Sequence, residues 1–330
     1  MVDQKTLKIF ISKKIPAIGI KMLQDEGYEL KIWPNEQPIP QNILINESKQ
    51  ADILLSLGEN KIDPYFLNEC KHLKMISQFA VGYDNINIPE ATKLGIPIGN
   101  TPDVLSAATA DIAFGLMISV SRKFFYNYKK IIDGDWGAFQ PTANLGQELH
   151  GKTLGIFGLG AIGTVMAQRC KGAYDMDILY YNRSRNEDAE RHLNARQVEF
   201  DELLAQSDVL SVHSVLSDET RGKFNYDVFS KMKPTSIFIN TSRGGVHNET
   251  DLITALQNNI IWGAGLDVTN PEPMAKDNPL LFMENVCVLP HIGSATIEAR
   301  DGMSRLAAVN IISYMKSGVI PHCVNPSAIL

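Results

Sequence analysis

Six consecutive residues, Gly158-Leu159-Gly160-Ala161-Ile162-Gly163, carry the spacing G-x-G-x-x-G. Glycines so placed allow a tight turn, bring the backbone against a pyrophosphate and let the following helix pack on the preceding strand. The helix N-terminus adds unpaired N–H groups and a positive dipole end. The pattern alone is short and common, so its context decides what it means. Thr153-Leu154-Gly155-Ile156-Phe157 enters the turn as a buried-strand pattern, and Ile162, Val165, Met166, Arg169 and Cys170 leave it at helical spacing. Strand, turn and helix in that order point to dinucleotide binding, with all six residues of the turn as candidate contacts.

A turn of this kind expects an acidic residue roughly 20 positions on, ending the second strand and holding the ribose hydroxyls. Here the strand Asp177 to Tyr181 ends in Asn182-Arg183-Ser184-Arg185, where no carboxylate stands. A carboxylate would repel the 2′-phosphate of NADP, whereas Asn182, Ser184 and two guanidiniums would hydrogen-bond to it. The alternative is a solvated loop, with Arg183 stacking on the adenine of NAD. The expectation is NADP(H) preferred, with NAD(H) possible.

Three further polar residues stand just past strand-like runs, where open α/β sheets bind ligands. Arg243 follows Phe238-Ile239-Asn240-Thr241-Ser242, Glu272 follows Gly265-Leu266-Asp267-Val268-Thr269-Asn270-Pro271, and His291 follows Val288-Leu289-Pro290. Taken singly, each has an ordinary explanation: a loop cation, a surface turn between prolines, a structural histidine.

These segments must be positioned by a scaffold, and the chain supplies two successive series of alternating strands and helices. In the first, Leu7 to Ile11, Tyr28 to Trp33, Ile53 to Leu57 and Leu73 to Gln78 read as strands, with a helix over Ile15 to Asp25. Thr101-Pro102-Asp103 reads as a helix start, with Thr as N-cap and Pro at the first helical position, and the helix runs to about Phe125. It is apolar on most of its surface, as expected inside a protein or between two lobes. The second series has strands at Lys152 to Phe157, Asp177 to Tyr181, Val209 to Val212, Ser236 to Asn240, Trp262 to Leu266 and Val286 to Leu289. A last helix, about Thr296 to Lys316, aligns Met303, Leu306, Ala307, Asn310, Ile311 and Tyr314. The expected fold class is α/β, two Rossmann/flavodoxin-like lobes with parallel sheets and an active site in the cleft between them. The outer, substrate-binding lobe is 1–101 plus 296–330 and the dinucleotide-binding lobe is 102–295, with interlobe helices near 102–125 and 296–316.

The 330 residues, 44% hydrophobic and 21% charged, suit two soluble domains. A net charge of −6 argues against nucleic acid as the main partner. Cys70, Cys170, Cys287 and Cys323 lack metal-ligand spacing and read as reduced thiols, so no metal is expected. The apolar stretch Ile112 to Val120 is too short for a bilayer, and the N-terminus shows no signal region. The expectation is a cytoplasmic protein that is not membrane-bound.

Together with Ala80-Val81-Gly82-Tyr83-Asp84, the segments above resemble the D-isomer-specific 2-hydroxyacid dehydrogenase family, in order and over essentially the whole chain. Gly265 to Val268 and Leu289 to Thr296 look most like glyoxylate/hydroxypyruvate reductases, and the basic loop after Tyr181 is similar to NADP-preferring members. One departure is His247, where a small or acidic residue is usual. The resemblance implies reduction of a small 2-oxo acid to the D-2-hydroxy acid. His291 would be the general acid, Glu272 its orienting partner, and Arg243 the holder of the substrate carboxylate. Backbone N–H groups of Val81 and Gly82, with Arg243 and His291, would form the substrate site. Asp267 would face the nicotinamide, with Thr109, Thr241, Ser242 and Gly293 as further cofactor contacts. His150, His213 and His247 are expected to be structural or solvent-facing, and Trp136 and Phe139 to line a substrate pocket, a subunit contact or ordinary packing. The resemblance also implies a homodimer joined through the cofactor lobes. Formate-type relatives fit less well, because they lack the partner that Glu272 provides. A 2-ketogluconate or other 2-oxo acid reductase is the neighbouring possibility. A dinucleotide-sensing co-repressor-like interaction protein is the possibility from another class, disfavoured because such proteins carry a long tail and this chain stops at Leu330.

Overall fold

The computed structural model describes residues 6–329. By contact density the chain divides into Met1–Leu105 with Ala295–Leu330, and Ser106–Ser294.

The first unit is built on five parallel strands: β1 (Lys8–Ile11), β2 (Glu29–Ile32), β3 (Ile53–Ser56), β4 (Met75–Gln78) and β5 (Ile98–Gly99). Their order is β2-β1-β3-β4-β5, the flavodoxin-like order, which follows from right-handed crossovers leading first one way and then the other. β3 and β4 are buried at every position, as a parallel sheet covered on both faces requires. The connections carry α1 (Ala17–Asp25), α2 (Gln41–Ser48), α3 (Pro64–Glu69) and α4 (Ile88–Lys93). Asp63 and Asn87 cap α3 and α4 by accepting from Phe66 N and Glu90 N, each with a proline in the first helical turn.

The second unit opens with α5 (Ser106–Ser121) and α6 (Phe124–Ile132). Seven parallel strands follow: β6 (Thr153–Phe157), β7 (Asp177–Tyr181), β8 (Arg196–Gln197), β9 (Val209–Val212), β10 (Ile237–Asn240), β11 (Gly263–Leu266) and β12 (Val286–Val288). The order β12-β11-β10-β9-β6-β7-β8 is the doubly wound dinucleotide-binding order with one added edge strand, and it reverses between β6 and β9. The helices are α7 (Ala161–Tyr174), α8 (Glu187–Leu193), α9 (Phe200–Gln206), α10 (Tyr226–Phe229) and α11 (Glu249–Gln257). One face of the sheet buries Leu154, Ile156, Ile178, Tyr180, Ile237 and Ile239 with α5 and α7. The other buries Phe157, Leu210, Val212, Phe238 and Leu266 with a cluster of aromatic rings around Phe224.

The chain then returns to the first unit as α12 (Ile297–Ser317), capped by Thr296, which accepts from Ala299 N. Its buried face is offset from the sequence expectation. Met303, Ala307, Asn310 and Ile311 are buried as expected, but Leu306 and Tyr314 are only half-buried, and Ser304 and Ala308 take their place. The reason is close approach to α1: a Cβ at Gly19 would lie 2.3 Å from the Ser304 carbonyl oxygen, and Ser304 Oγ donates to the Pro16 carbonyl at 2.8 Å. Small residues meet there, and larger apolar ones are displaced to the flanks.

The parallel α/β architecture with two sheets agrees with the sequence expectation. The helix start at Thr101 does not. Residues 102–105 form a turn, with Val104 N donating to the Pro102 carbonyl and Asp103 at φ 67°, and α5 begins at Ser106. Nor does one helix run to Phe125. Lys123, at φ 53°, breaks it after Ser121, and α6 is a separate helix. Among the described residues, no helix is long and apolar enough to cross a membrane, and no group of His, Cys, Asp and Glu has the arrangement of a metal site.

Candidate active site and cofactor groove

The glycine turn joins β6 to α7, and its three glycines are required for different reasons. Gly158 has φ 98°, and a Cβ there would press on the backbone of His213 and Ser214 at 2.9–3.1 Å. A Cβ on Gly163 would meet the Gly158 carbonyl oxygen at 2.8 Å, so helix and turn touch directly. Gly160 is different: a Cβ there would meet nothing within 4 Å. Protein packing does not demand a glycine at 160, whereas a phosphate group approaching the N-terminus of α7 would. No side chain caps that helix. Beside the turn lies a groove of about 550 Å³ whose lining includes Leu159, Gly160, Asn182, Ser184 and Arg185, together with residues of α8 such as Asp188 and Arg191. These features fit the dinucleotide expected from the motif.

Within this loop the structure reassigns two residues. Asn182 accepts from Leu159 N at 2.7 Å and donates back to the Leu159 carbonyl at 3.2 Å. It therefore ties the glycine turn to the end of β7 while also lining the groove. Arg185 does not stand free of carboxylates either. Its Nε donates to Glu190 at 3.2 Å, and Nη2 donates to the other oxygen of the same carboxylate. The expectation that no carboxylate serves this loop missed Glu190 because the acid comes from the first turn of α8, on the far side of the loop from the end of β7. Arg183 is exposed and makes no hydrogen bond or ion pair among the described residues. Asn186, unremarked in the sequence, caps α8 by accepting from Ala189 N and donates to the Leu159 carbonyl at 3.0 Å.

At the carboxyl end of the sheet, β10 delivers Arg243 through a loop organised by Asn240, which is fully buried. Its side-chain oxygen accepts from Ser242 N and Ser242 Oγ, both at 2.9 Å. Its Nδ2 donates to the Arg243 carbonyl and to His247 Nδ1, each at 3.0 Å. Burial drives the His247 pKa down to about 4, so this ring is neutral and structural, as expected. The Ser242 hydroxyl is thus spent on the loop, whereas Thr241 Oγ1 is buried with no protein partner and remains available to a ligand. Gly244 presses on the next loop so closely that a Cβ would lie 1.9 Å from the Thr269 carbonyl oxygen. The loops bearing Arg243 and Glu272 are therefore packed backbone on backbone.

Glu272 divides its oxygens: Oε1 accepts from Thr269 N at 2.9 Å, and Oε2 accepts from His291 Nδ1 at 3.0 Å. Burial raises the Glu272 pKa, but the hydrogen bonds from His291 and Thr269 and the charges of His291 and Arg243 outweigh it. The carboxyl therefore lies below its usual range and is ionised. An ionised carboxylate only accepts, so Nδ1 of His291 carries the proton and Nε2 is left facing outward. His291 itself is held at φ 54°, in the left-handed region that costs a non-glycine residue about 1 kcal/mol or more. Asp267 holds it there. The Asp267 carbonyl accepts from His291 N at 2.9 Å, while the carboxylate accepts from Ile292 N at 2.8 Å and Gly293 N at 2.7 Å. Both carboxylate oxygens of Asp267, expected to face a nicotinamide, thus latch the histidine turn. Thr109 likewise donates its hydroxyl to the Gly293 carbonyl at 3.1 Å. In the sequence these two read as cofactor contacts; in the structure they support the loop that presents His291.

In the first unit, Val81 and Gly82 follow β4, and their N–H groups donate to no group among the described residues. Their loop is fixed from below by a buried polar chain that sequence reasoning missed. Gln78, fully buried, accepts from Ser56 Oγ at 2.6 Å and donates to Asn85 Oδ1 at 2.8 Å. Asn85 in turn donates to the Asn60 carbonyl at 2.8 Å. A glutamine closing a strand buried at every position was the available signal. Of the remaining histidines, His150 is exposed, and His213 meets Ser211 Oγ at 2.8 Å. Trp136 and Phe139 are 79% and 91% exposed, which excludes core packing within the chain.

Comparison with known proteins agrees with this architecture. Residues 114–293 match the model of the D-isomer specific 2-hydroxyacid dehydrogenase NAD-binding domain. The chain is 43% identical over 322 residues to a glyoxylate reductase of Thermococcus litoralis, covering 96% of each protein. It is 42% identical over 326 residues to a glyoxylate reductase of Pyrococcus horikoshii, covering 98% of this chain and 97% of that one. Among solved structures, an NADPH-dependent glyoxylate/hydroxypyruvate reductase from Sinorhizobium meliloti, in complex with NADP and malonate, superposes with a TM-score of 0.85 at 30% identity, over 98% of both chains. Sheet order, glycine turn and matched sequence agree: the chain belongs to the D-isomer specific 2-hydroxyacid dehydrogenase family, with a nicotinamide-dinucleotide-binding domain at its centre.

Proposed function

We propose that the chain reduces glyoxylate or hydroxypyruvate to the D-2-hydroxy acid, taking NADPH in preference to NADH. The observation that carries the reading is the His291–Glu272 pair at 3.0 Å, seated beside the Arg243 loop at the carboxyl end of the sheet. When bound, the dihydronicotinamide supplies a hydride. The protein's part is to supply the proton and hold the acid. His291 gives its Nε2 proton to the carbonyl oxygen, while Glu272 fixes the ring through Nδ1. The Arg243 guanidinium holds the substrate carboxylate and polarises the 2-oxo group. In the first unit, Val81 and Gly82 are proposed to bind substrate through their N–H groups. The names of the relatives, glyoxylate reductases, support the substrate class.

The test is a panel of glyoxylate, hydroxypyruvate, pyruvate and 2-ketogluconate, each with NADPH and NADH. The highest kcat/KM is expected for glyoxylate or hydroxypyruvate with NADPH. Tight cofactor binding without turnover of any 2-oxo acid would overturn the enzyme reading.

Preference for NADPH is proposed to come from Arg183 and, through whatever donors its pairing leaves, Arg185. Replacing both by alanine should raise the Kd of NADPH about tenfold or more, because charge-assisted phosphate contacts are lost, while NADH changes little. Titration with each reduced cofactor checks this; equal losses would remove the loop from 2′-phosphate reading.

A homodimer is also proposed. α6 buries none of its residues in the isolated chain, and Tyr128, Ile132, Trp136 and Phe139 extend an exposed apolar run along this segment. A second copy covering that run would remove the exposed surface, and sedimentation at dimer mass is expected. The four cysteines are free, in keeping with the proposed cytoplasmic location.

A further inference from the structure

We infer that Glu190 sets the strength of the cofactor preference from behind Arg185: by holding the guanidinium in an ion pair, it keeps discrimination between NADPH and NADH small. This rests on the proposed reading of the 182–185 loop. The pair is asymmetric. The Glu190 side chain is 18% exposed and that of Arg185 is 67% exposed, so the carboxylate is the fixed member and the guanidinium the one drawn to it. Tyr180 fixes Glu190 from the strand beneath. Its ring is fully buried, its hydroxyl donates to Glu190 Oε1 at 2.6 Å, and the same hydroxyl oxygen accepts from Asn186 N at 2.9 Å. Asn186 is in turn tied to the glycine turn through the Leu159 carbonyl. The carboxylate is thus built into the loop that forms the groove, although it does not itself line it.

Its effect on a ligand is electrostatic. A 2′-phosphate needs donors and positive charge, and NADH needs neither at that position. Arg185 offers both, but Nε and Nη2 are already committed to Glu190. Also lining the groove, Arg191 faces Asp188 at 3.5 Å. Of the guanidiniums on this loop and helix, Arg183 alone has no carboxylate partner among the described residues. A phosphate must therefore compete with Glu190 for Arg185, whereas an unsubstituted ribose meets no such competition. Because the Arg185 guanidinium is largely exposed, the competition is modest in size, a few-fold rather than orders of magnitude.

Kd values for NADPH and NADH, read from the fluorescence of the reduced nicotinamide on the full chain, test this. Glu190→Gln should tighten NADPH about fivefold and move NADH by less than about twofold. With Arg185→Ala also present, the gain from Glu190→Gln should vanish, since it acts through that guanidinium. Glu190→Asp, which keeps the charge but shortens the reach to Arg185, should shift NADPH in the same direction and serves if the glutamine variant does not fold. An unchanged or weakened NADPH affinity in Glu190→Gln, or equal shifts for both cofactors, would overturn the inference. The single variant Arg185→Ala separates the two levels. If it weakens NADPH alone while Glu190→Gln leaves the ratio unchanged, only the role of Glu190 falls. If it affects both cofactors equally, the reading of the loop falls and the inference with it.

Discussion

His291→Ala should lower kcat by about 10³-fold and leave the Kd of NADPH within about twofold, since a positioned acid typically contributes 10²–10⁴ in rate. The geometry makes the expectation specific. The Glu272 carboxylate takes the Nδ1 proton at 3.0 Å, so Nε2 is the nitrogen left for substrate, and no other imidazole in this unit is so placed. His213 and His247 are both driven by burial to pKa values of about 4 and cannot hold a proton near neutral pH. The substitution should spare the fold. The turn is held through the N–H groups of residues 291–293 on Asp267, which alanine keeps. Alanine lacks the tolerance histidine has for φ 54°, a small added cost that the Asp267 latch must absorb. Steady-state rates with cofactor titration check this, and added imidazole should restore part of the rate. A variant within tenfold of the native rate would remove His291 from the acid's role.

Arg243→Ala should lower kcat/KM for 2-oxo acids by about 10²–10³-fold, the loss expected when a donor to the reacting group is removed. Arg243→Lys should recover about tenfold at most, because a lysine restores charge without the two-donor fork. The loop should survive either change, because Asn240 grips the Arg243 carbonyl and not its side chain. A loss seen equally with substrates lacking a carboxylate would show that the guanidinium does something other than hold it. The same comparison made on cofactor Kd should show no change.

The elements legible in the sequence were those with enough residues to show a period or a buried run: β1 to β4, β6, β7, β9 to β12, α1, α7 and the body of α12. β5 and β8, at two residues each, are too short to carry a pattern, and α3 and α4 show only their caps, Asp63-Pro64 and Asn87 before Pro89. The break between α5 and α6 was hidden because no glycine or proline marks it; Lys123 takes a left-handed conformation that its type does not announce. The site followed the same rule. Residues with a role at a fixed place in a motif, such as Gly158, Gly163, Glu272 and His291, could be read directly. Residues that act by supporting another could not, because the folded loops set their partners and no fixed motif spacing does, whether the two lie 5 residues apart or 26. Asp267 latching Gly293, Glu190 holding Arg185 and Gln78 reaching Asn85 each require the folded loops to be seen. Where the sequence assigned Asn182, Asp267 and Thr109 to a ligand, the structure also gives them hydrogen bonds to the backbone of neighbouring loops, as polar groups withdrawn from solvent require.

The most direct test of the central claim is the handedness of the product formed from hydroxypyruvate and NADPH. Oxidation of the cofactor in step with formation of D-glycerate is the expected result. No oxidation of the cofactor, or formation of the L-isomer, would contradict the account.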